Sequence, residues 1–500
     1  IDRFHRHASL RLRFACADYQ LTCTYTLRPG KSSLDRAASL TRIADDTASA
    51  VTLEGFLFQL PGVLLGSPSD CTVQIPGPFW PDRFIHAGTR YDELKTQSMG
   101  FHSAPDAGFG ILTLSNPVLN KTLASWMVTA GEVADHPSLQ GDKTRLSFRH
   151  HDERAYRLWP GMAIDSDVHH VEIVTGPVRA ALAAFREMAT QTLPLPANSP
   201  AWTREAILLE VYPQYFPTGF KGITGKLPFY RDIGFNTLYL MPHWKGGYSP
   251  IDPFAVEPAL GTEDDLKELV RTAHALGMKV IFDMVIHGFN EKSPFVQRRP
   301  DLFCRDEQGK LVRHPAWKSI TTDWASPAYQ QFMVDLVLHD LKTYDIDGYR
   351  VDAATFKGPN WDPAIPYPAY RSGSAAPELI GRMLSAMRQT KPDAAMLSEV
   401  FGPLFYTVCD MVHDNQTEAP QFFLEQMEKG TLNTTHYKAH LAAVYDALPA
   451  GATRVMFARN HDTSWFYHFN GYTPRFLALD AIHTLFAIPE IFAGDPRHKP

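Results

Sequence analysis

The sequence predicts an α/β chain in which an all-β sandwich domain, residues 1–195, precedes a (β/α)8 barrel, residues 196–500. Three observations predict it. Up to about residue 175 the apolar residues recur with a period of two, which is the period of a half-buried strand. Beyond the Pro-rich segment "PLPANSP", 194–200, apolar strands alternate with amphipathic helices. Charged side chains then fall at the ends of several of those strands, where a barrel keeps its site.

In the first region "QLTCTYTL" places Leu21, Cys23, Tyr25 and Leu27 on one face and Thr22, Thr24 and Thr26 on the other. Similar short runs, "AVTLEGFLFQL", "GILTLSNPV", "ASWMVTAGE", "TRLSFRH" and "HHVEIVTG", are separated by Gly, Pro, Asp and Ser clusters, the pattern of a sandwich. "GPVRAALAAFREMATQTL" turns helical, with Val178, Leu182, Phe185 and Met188 along one face. The segment 194–200 reads as a linker.

The barrel strands are expected in "AILLEVYPQYF", "NTLYLMPHW", "KVIFDMVIHG", "IDGYRVDAA", "AAMLSEVFG", "DMVHDNQ", "TRVMFARNHD" and "IPEIFAG". Helical segments such as "EDDLKELVRTAHALG" and "PAYQQFMVDLVLHDLKTY" lie between them. A doubly wound open sheet is the competing architecture, but no Gly-rich phosphate loop follows any strand. Residues 288–326 form an insertion after the third strand, longer than an ordinary connection and placed where loops shape a barrel's site.

Totals narrow the function. At 500 residues with 44% hydrophobic and 20% charged positions, the chain can bury a sizeable core in two or three domains. A net charge of −6 argues against a nucleic-acid surface, and no apolar run is long enough to span a membrane. Cys16, Cys23, Cys71, Cys304 and Cys409 are scattered, with neither a disulfide framework nor zinc spacing. A soluble protein is expected, with the compartment, cytoplasmic or secreted, and the oligomeric state left open. The opening "IDRFHRHASL" has neither Met nor a signal region, so the true start is expected upstream.

The strand ends carry Asp283, then Arg350 and Asp352 in "DGYRVDAATF", Glu399 in "MLSEVFG", and His461 and Asp462 in "ARNHD". In an extended strand Gly348, Arg350 and Asp352 point the same way, so a guanidinium and a carboxylate share one face. Each acid alone could cap a helix or complete a structural ion pair. Several converging on one mouth form a constellation, because buried carboxylates are costly unless paired.

These residues resemble the alpha-amylase family of retaining α-glucan enzymes, in order, over about residues 201–495. "GYRVD" is similar to the family's nucleophile motif, "SEV" to its acid/base motif and "NHD" to its last motif. The resemblance implies that Asp352 is the nucleophile with Arg350 beside it, and that Glu399 is the acid/base. It also makes Asp462 the transition-state carboxylate and His461 a sugar-binding residue. "GGYSPIDPFAVEPALGT" looks like the segment after the second strand, where Tyr248 would stack on the sugar. Such chemistry uses one carboxylate as nucleophile and a second as acid and then base.

Two departures alter the expectation. The family's first motif reads Asp, three residues, Asn, His, whereas "DMVIHG" has His287 and Gly288 in the last two places. The family's calcium-binding Asn is therefore replaced by His287, a poor ligand for a hard cation, and no metal or other cofactor is expected. His287 is instead expected to contact the sugar. The given sequence also stops just past the eighth strand, before the family's final helix and C-terminal β-domain, so it is expected to be cut short there. "HRH" at 5–7 and "RHHDE" at 149–153 read as solvated faces or strand ends more readily than as metal sites. Trp244, Trp317, Trp324, Trp361 and Trp465 are either sugar platforms or core. The reading is a retaining α-glycosidase on oligo- or polysaccharide α-glucosides. Its alternatives are a transglycosylase or isomerase and, in another class, a non-catalytic scaffold.

Overall fold

The computed structural model describes residues 8–45, 47–75, 89–91, 98–100, 110–128, 135–141, 145–152, 154–315, 317–354, 357–400, 402–413, 427, 429–430, 433–457, 460–462 and 474–493. "HRH" at 5–7 and Trp465 lie outside the described residues.

The period-two runs form antiparallel strands in two principal sheets. The larger has nine strands and runs Ala8–Cys16, Tyr19–Leu27, Ser33–Arg42, Val168–Thr175, Lys121–Val128, Leu112–Asn116, Thr72–Gln74 and Thr89–Arg90, with Ala163–Asp165 paired to Ser33–Arg42. The smaller has four: Phe56–Val63, Leu146–Asp152, Asp135–Gly141 and Ser98–Gly100. Val63, Leu139, Leu146 and Phe148 of the smaller sheet meet Val73, Leu112 and Leu114 of the larger in one apolar cluster. The face predicted from "QLTCTYTL" is only partly covered. Leu21 packs beside Leu40 and Phe56, while Leu27 stays exposed with Leu10 and Phe14 of the outermost hairpin.

Helix α1 (Val178–Thr192) buries Ala181, Leu182, Phe185 and Ala189. Phe185 meets Trp126 of the larger sheet edge-on, with ring centroids 5.6 Å apart. On its other side the apolar cluster continues through Ala443, Val444 and Ala447 into the barrel's shell. The helix therefore joins the two parts through one continuous core.

The barrel closes through eight parallel strands. They are β1 (Leu208–Val211), β2 (Thr237–Leu240), β3 (Lys279–Val285), β4 (Gly348–Asp352), β5 (Ala395–Ser398), β6 (Met411–His413), β7 (Arg454–Met456) and β8 (Ile488–Ala493). All eight predicted strands are present, but shorter than their sequence runs. Strand β1 gives way to a helical turn at Pro213–Tyr215, and β7 ends before "NHD" begins. Leu208, Tyr239, Ile281, Leu397, Met411, Val455 and Ile488 fill the interior.

The shell follows its capping chemistry. Helix α2 (Phe220–Asp232) precedes α3 (Glu263–Ala275), where Thr262 and Asp265 form a reciprocal capping box. Helix α4 (Pro327–Tyr344) starts on the Ser326 side chain and ends at Asp345 in the left-handed conformation. At Gly348 an added Cβ would lie 2.1 Å from the Ala395 carbonyl oxygen, so close β4–β5 pairing requires glycine there. None of the helices among the described residues is long and apolar enough to cross a membrane.

Candidate active site

Strand β4 is buried throughout, and its alternation carries Arg350 and Asp352 toward the mouth, as the spacing predicts. The Arg350 guanidinium is fully buried and faces three carboxylates. Its Nη1 donates to Asp352 Oδ1 at 2.6 Å and to Asp283 Oδ1 at 3.0 Å, and its Nη2 lies 2.7 Å from Glu399 Oε1. Acids from the ends of β3, β4 and β5 thus converge on one cation. That pairing offsets part of the desolvation cost of burying them.

The geometry drives the acids apart in pKa. Burial alone would push Asp352 up, but Arg350 and His287 hold it down at about 2. Burial pushes Glu399 up to about 7; the nearby Asp352 and Asp462 charges add to this and Arg350 opposes it. One carboxyl is held ionised near neutrality while its neighbour is pushed toward the protonated form. Glu399 Oε2 also accepts the Ala353 N–H at 2.6 Å. Ala353 has φ 39°, a left-handed strain for a residue with a Cβ, and it directly follows Asp352.

Asp283 is the hub of the opposite wall. Its Oδ2 accepts from Tyr248 Oη at 2.5 Å and from Tyr239 Oη at 2.9 Å. Tyr248 stacks on His461 with centroids 5.6 Å apart and planes 10° apart, so these two predicted sugar contacts form one surface. His461 Nδ1 contacts the Glu210 carboxylate, and its Nε2 lies 3.3 Å from both Tyr248 Oη and Asp462 Oδ1. Burial would strip the His461 proton; Asp462 and Glu210 instead push its pKa up to about 10.

His287 lies beside Asp352, its Nε2 3.4 Å from Oδ2, and its ring rests 4.4 Å from that of Trp317. Trp317 is 47% exposed and stacks on His314 at 4.1 Å. Trp244 and Trp324 are core: both are buried and donate to backbone, to Gly247 O at 2.7 Å and Ile286 O at 2.8 Å. Trp361 is half-buried in the segment after β4, where Arg157 of the first domain donates to its carbonyl at 2.8 Å.

The insertion is fastened by polar contacts. Gly288–Phe289 pairs with Ile320–Thr321, and Asn360 Nδ2 donates to Asp323 Oδ2 at 2.6 Å. The Lys357 ammonium donates to the Ser372 carbonyl at 2.7 Å and to the Thr322 carbonyl, beneath the Trp324 ring. It joins the insertion to the segment after β4 with a cation of the chain's own. Among the described residues no group of three His, Cys, Asp or Glu side chains is arranged to hold a metal ion.

Sequence reasoning gave no role to Glu210, Tyr239 or Ala353. Glu210 was detectable, since a lone carboxylate interrupts the apolar run "AILLEVY". Tyr239 inside "NTLYLM" looks like any core aromatic, and nothing marks an alanine for positive φ.

A family model described as alpha amylase, catalytic domain, matches residues 205–308, from the start of β1 into the insertion. The barrel's first three strands thus carry the likeness to alpha-amylase catalytic domains. A cyclomaltodextrinase of Thermoanaerobacter pseudethanolicus is 24% identical over 359 residues, 59% of this chain and 58% of that protein. A trehalose synthase of Thermus thermophilus is 26% identical over 324 residues, 53% of this chain and 32% of that protein. The chain therefore spans less than two thirds of these curated relatives. In fold alone it is similar over 99% of its length to 67% of the GH36 alpha-galactosidase AgaA of Geobacillus stearothermophilus, with a TM-score of 0.65 and 12% identity. The alpha-amylase motifs lie in the barrel, whereas the fold likeness to AgaA extends over the first domain as well.

Proposed function

We propose that the chain is a retaining α-glycosidase of oligo- or polysaccharide α-glucosides, with Asp352 as nucleophile, Glu399 as acid/base and Asp462 as the carboxylate facing the transition state. The supporting observation is the opposed titration of two acids around one guanidinium, Asp352 near 2 and Glu399 near 7. In the first step the ionised Asp352 attacks the anomeric carbon and Glu399 gives its proton to the leaving oxygen. In the second, Glu399 takes a proton from water, which displaces Asp352 and restores the starting configuration. Asp462, 43% exposed, gains interaction as positive charge develops on the ring. Tyr248 and His461 form the sugar platform, and His287 supports Asp352 and contacts the sugar.

A second reading, transfer of the glycosyl unit to a sugar hydroxyl, is favoured by the match to a trehalose synthase. The retained acids speak against a scaffold without catalysis. Proton NMR of the first product from an α-glucoside tests the mechanism: α-configured product supports it and β-configured product overturns it. Adding a sugar acceptor separates hydrolysis from transfer. A peptide carrying a covalent glycosyl unit on Asp352, trapped with a fluorinated α-glucosyl donor, locates the nucleophile.

A further inference from the structure

Glu210 stands outside the proposed acids. It lies one residue before the end of β1, is fully buried, and touches His461 through one oxygen while its other oxygen, Oε2, has no hydrogen-bond partner among the described residues. A buried carboxylate is costly to keep in such a place without a cation. An imidazole can present a hydrogen-bond donor or an acceptor on its open side, and its partner on the other nitrogen decides which. His461 is also faced by Tyr248 from the segment after β2, by Asp283 of β3, by Arg350 of β4 and by its neighbour Asp462. Phe492 of β8 covers an apolar edge, with centroids 6.5 Å apart.

We propose that Glu210 is a positioning residue which, by accepting from His461 Nδ1, fixes the ring's orientation and makes its Nε2–H a standing donor to a sugar hydroxyl. This rests on the α-glycosidase reading of the mouth. Burial and the Glu490 and Asp462 charges push the Glu210 pKa up, and the His461 contact opposes them. With Glu210 ionised, the imidazole holds both protons, Nδ1–H toward β1 and Nε2–H toward the mouth. The donor then does not switch off across the ordinary histidine range. Without the carboxylate, a neutral ring that donates through Nδ1 leaves Nε2 as an acceptor, and the contact becomes dependent on pH.

Two measurements test it. For Glu210→Gln in the full chain, KM for p-nitrophenyl α-glucoside should rise about tenfold at pH ~8 and return toward the wild-type value at pH ~5.5, with kcat changed less. Wild-type KM should stay flat over that interval. A KM unchanged in the variant, or raised equally at every pH, overturns the proposal. Nitrogen-15 imidazole shifts of His461 in the unmodified protein need no variant to fold. Both nitrogens protonated from pH ~5.5 to ~8.5 supports the proposal, and a titration near the ordinary value of about 6.5 overturns it. If the wild-type chain cleaves no α-glucoside, the functional reading fails, while the imidazole spectrum still decides the Glu210–His461 pair.

Discussion

The chain buries two polar networks, one between the sheets of the first domain and one at the barrel's mouth. In the first, Arg36 donates to His169 Nδ1 at 2.7–3.0 Å, and Ser125 Oγ joins His169 Nε2 at 2.7 Å to His150 Nε2 at 3.0 Å. Next to it His170 pairs with Asp35 at 2.5 Å, under Trp126. Because a guanidinium only donates, His169 must accept at Nδ1 and donate from Nε2 to Ser125. Burial, then the His150, Arg36 and His170 charges, push its pKa far down, so the ring stays neutral. Each of these donors meets an acceptor within the protein. At the mouth one guanidinium serves three acids, and they are left at unequal protonation. Burial of polar groups is common to both networks. What separates them is the unequal titration of the mouth's acids.

The sharpest way to break this comparison is to remove the ionised acid. Asp352→Asn should keep the fold, because Arg350 retains Asp283 and Glu399, and lower kcat by several orders of magnitude. Single-turnover kinetics on an α-glucoside measure it. Turnover near wild type would show that the Arg350 cluster is as structural as the Ser125 network.

Glu399 carries the next effect. The acid role proposed for it needs the proton, so kcat/KM should fall as pH rises through about 7. The acidic limb belongs to Asp352 and should lie near 2, where its carboxylate becomes protonated. In Glu399→Gln the basic limb should vanish. The first step should survive better on p-nitrophenyl than on natural glucosides, because a good leaving group needs no proton. A basic limb that persists in the variant would assign the proton to another group.

His287 comes third. Removing the imidazole 3.4 Å from Asp352 Oδ2 takes away one of the two groups that hold this acid down. His287→Ala should move the acidic limb upward and cost about tenfold in kcat/KM, with the basic limb unmoved. An acidic limb that stays in place would confine His287 to packing against Trp317.

The metal expectation can be tested on the same wall. The Lys357 ammonium already bridges the insertion and the segment after β4, so EDTA should leave the melting temperature unchanged. Lys357→Met should lower it by several degrees, leaving buried carbonyls without their donor. A drop on chelation that calcium restores would overturn this.

What the sequence made legible follows from how local each signal is. Asp352 and Glu399 stand out because a carboxylate at the end of an apolar strand conflicts with its surroundings, and the conflict is visible in a few residues. Asp462, by contrast, lies six residues beyond β7 and stood out only through the "NHD" motif. Arg350 is legible for the same reason. The role of His287 beside Asp352 depends on pairing β3 with β4, and the Lys357 bridge joins residues 322, 357 and 372, so neither is encoded in any short window. Trp324 and Trp317 lie seven residues apart in one insertion and end as core and as half-exposed wall. Their composition is identical; only the packing of the loop separates them. Within "RHHDE", expected to be a solvated face or strand end, His150 is instead buried in the Ser125 network, because its partner lies on a strand more than twenty residues away.

The smallest effect on activity is expected where burial is just as deep. Ser125 is fully enclosed, and its hydroxyl accepts from His169 Nε2 and donates to His150 Nε2. Ser125→Ala removes one acceptor and one donor without adding volume, so the protein relaxes little. Leaving the His169 N–H without that acceptor in a dry interior should cost about 1–3 kcal/mol, read as a lower denaturation midpoint. The mouth's acids hang on Arg350, Tyr239, Tyr248 and the Ala353 N–H, none of which touches Ser125. Hence kcat, KM and the basic limb near 7 should match the wild type at a temperature where the variant is folded. A shift in that limb would mean that the first domain sets the electrostatics of the mouth, and the two networks would have to be treated as one.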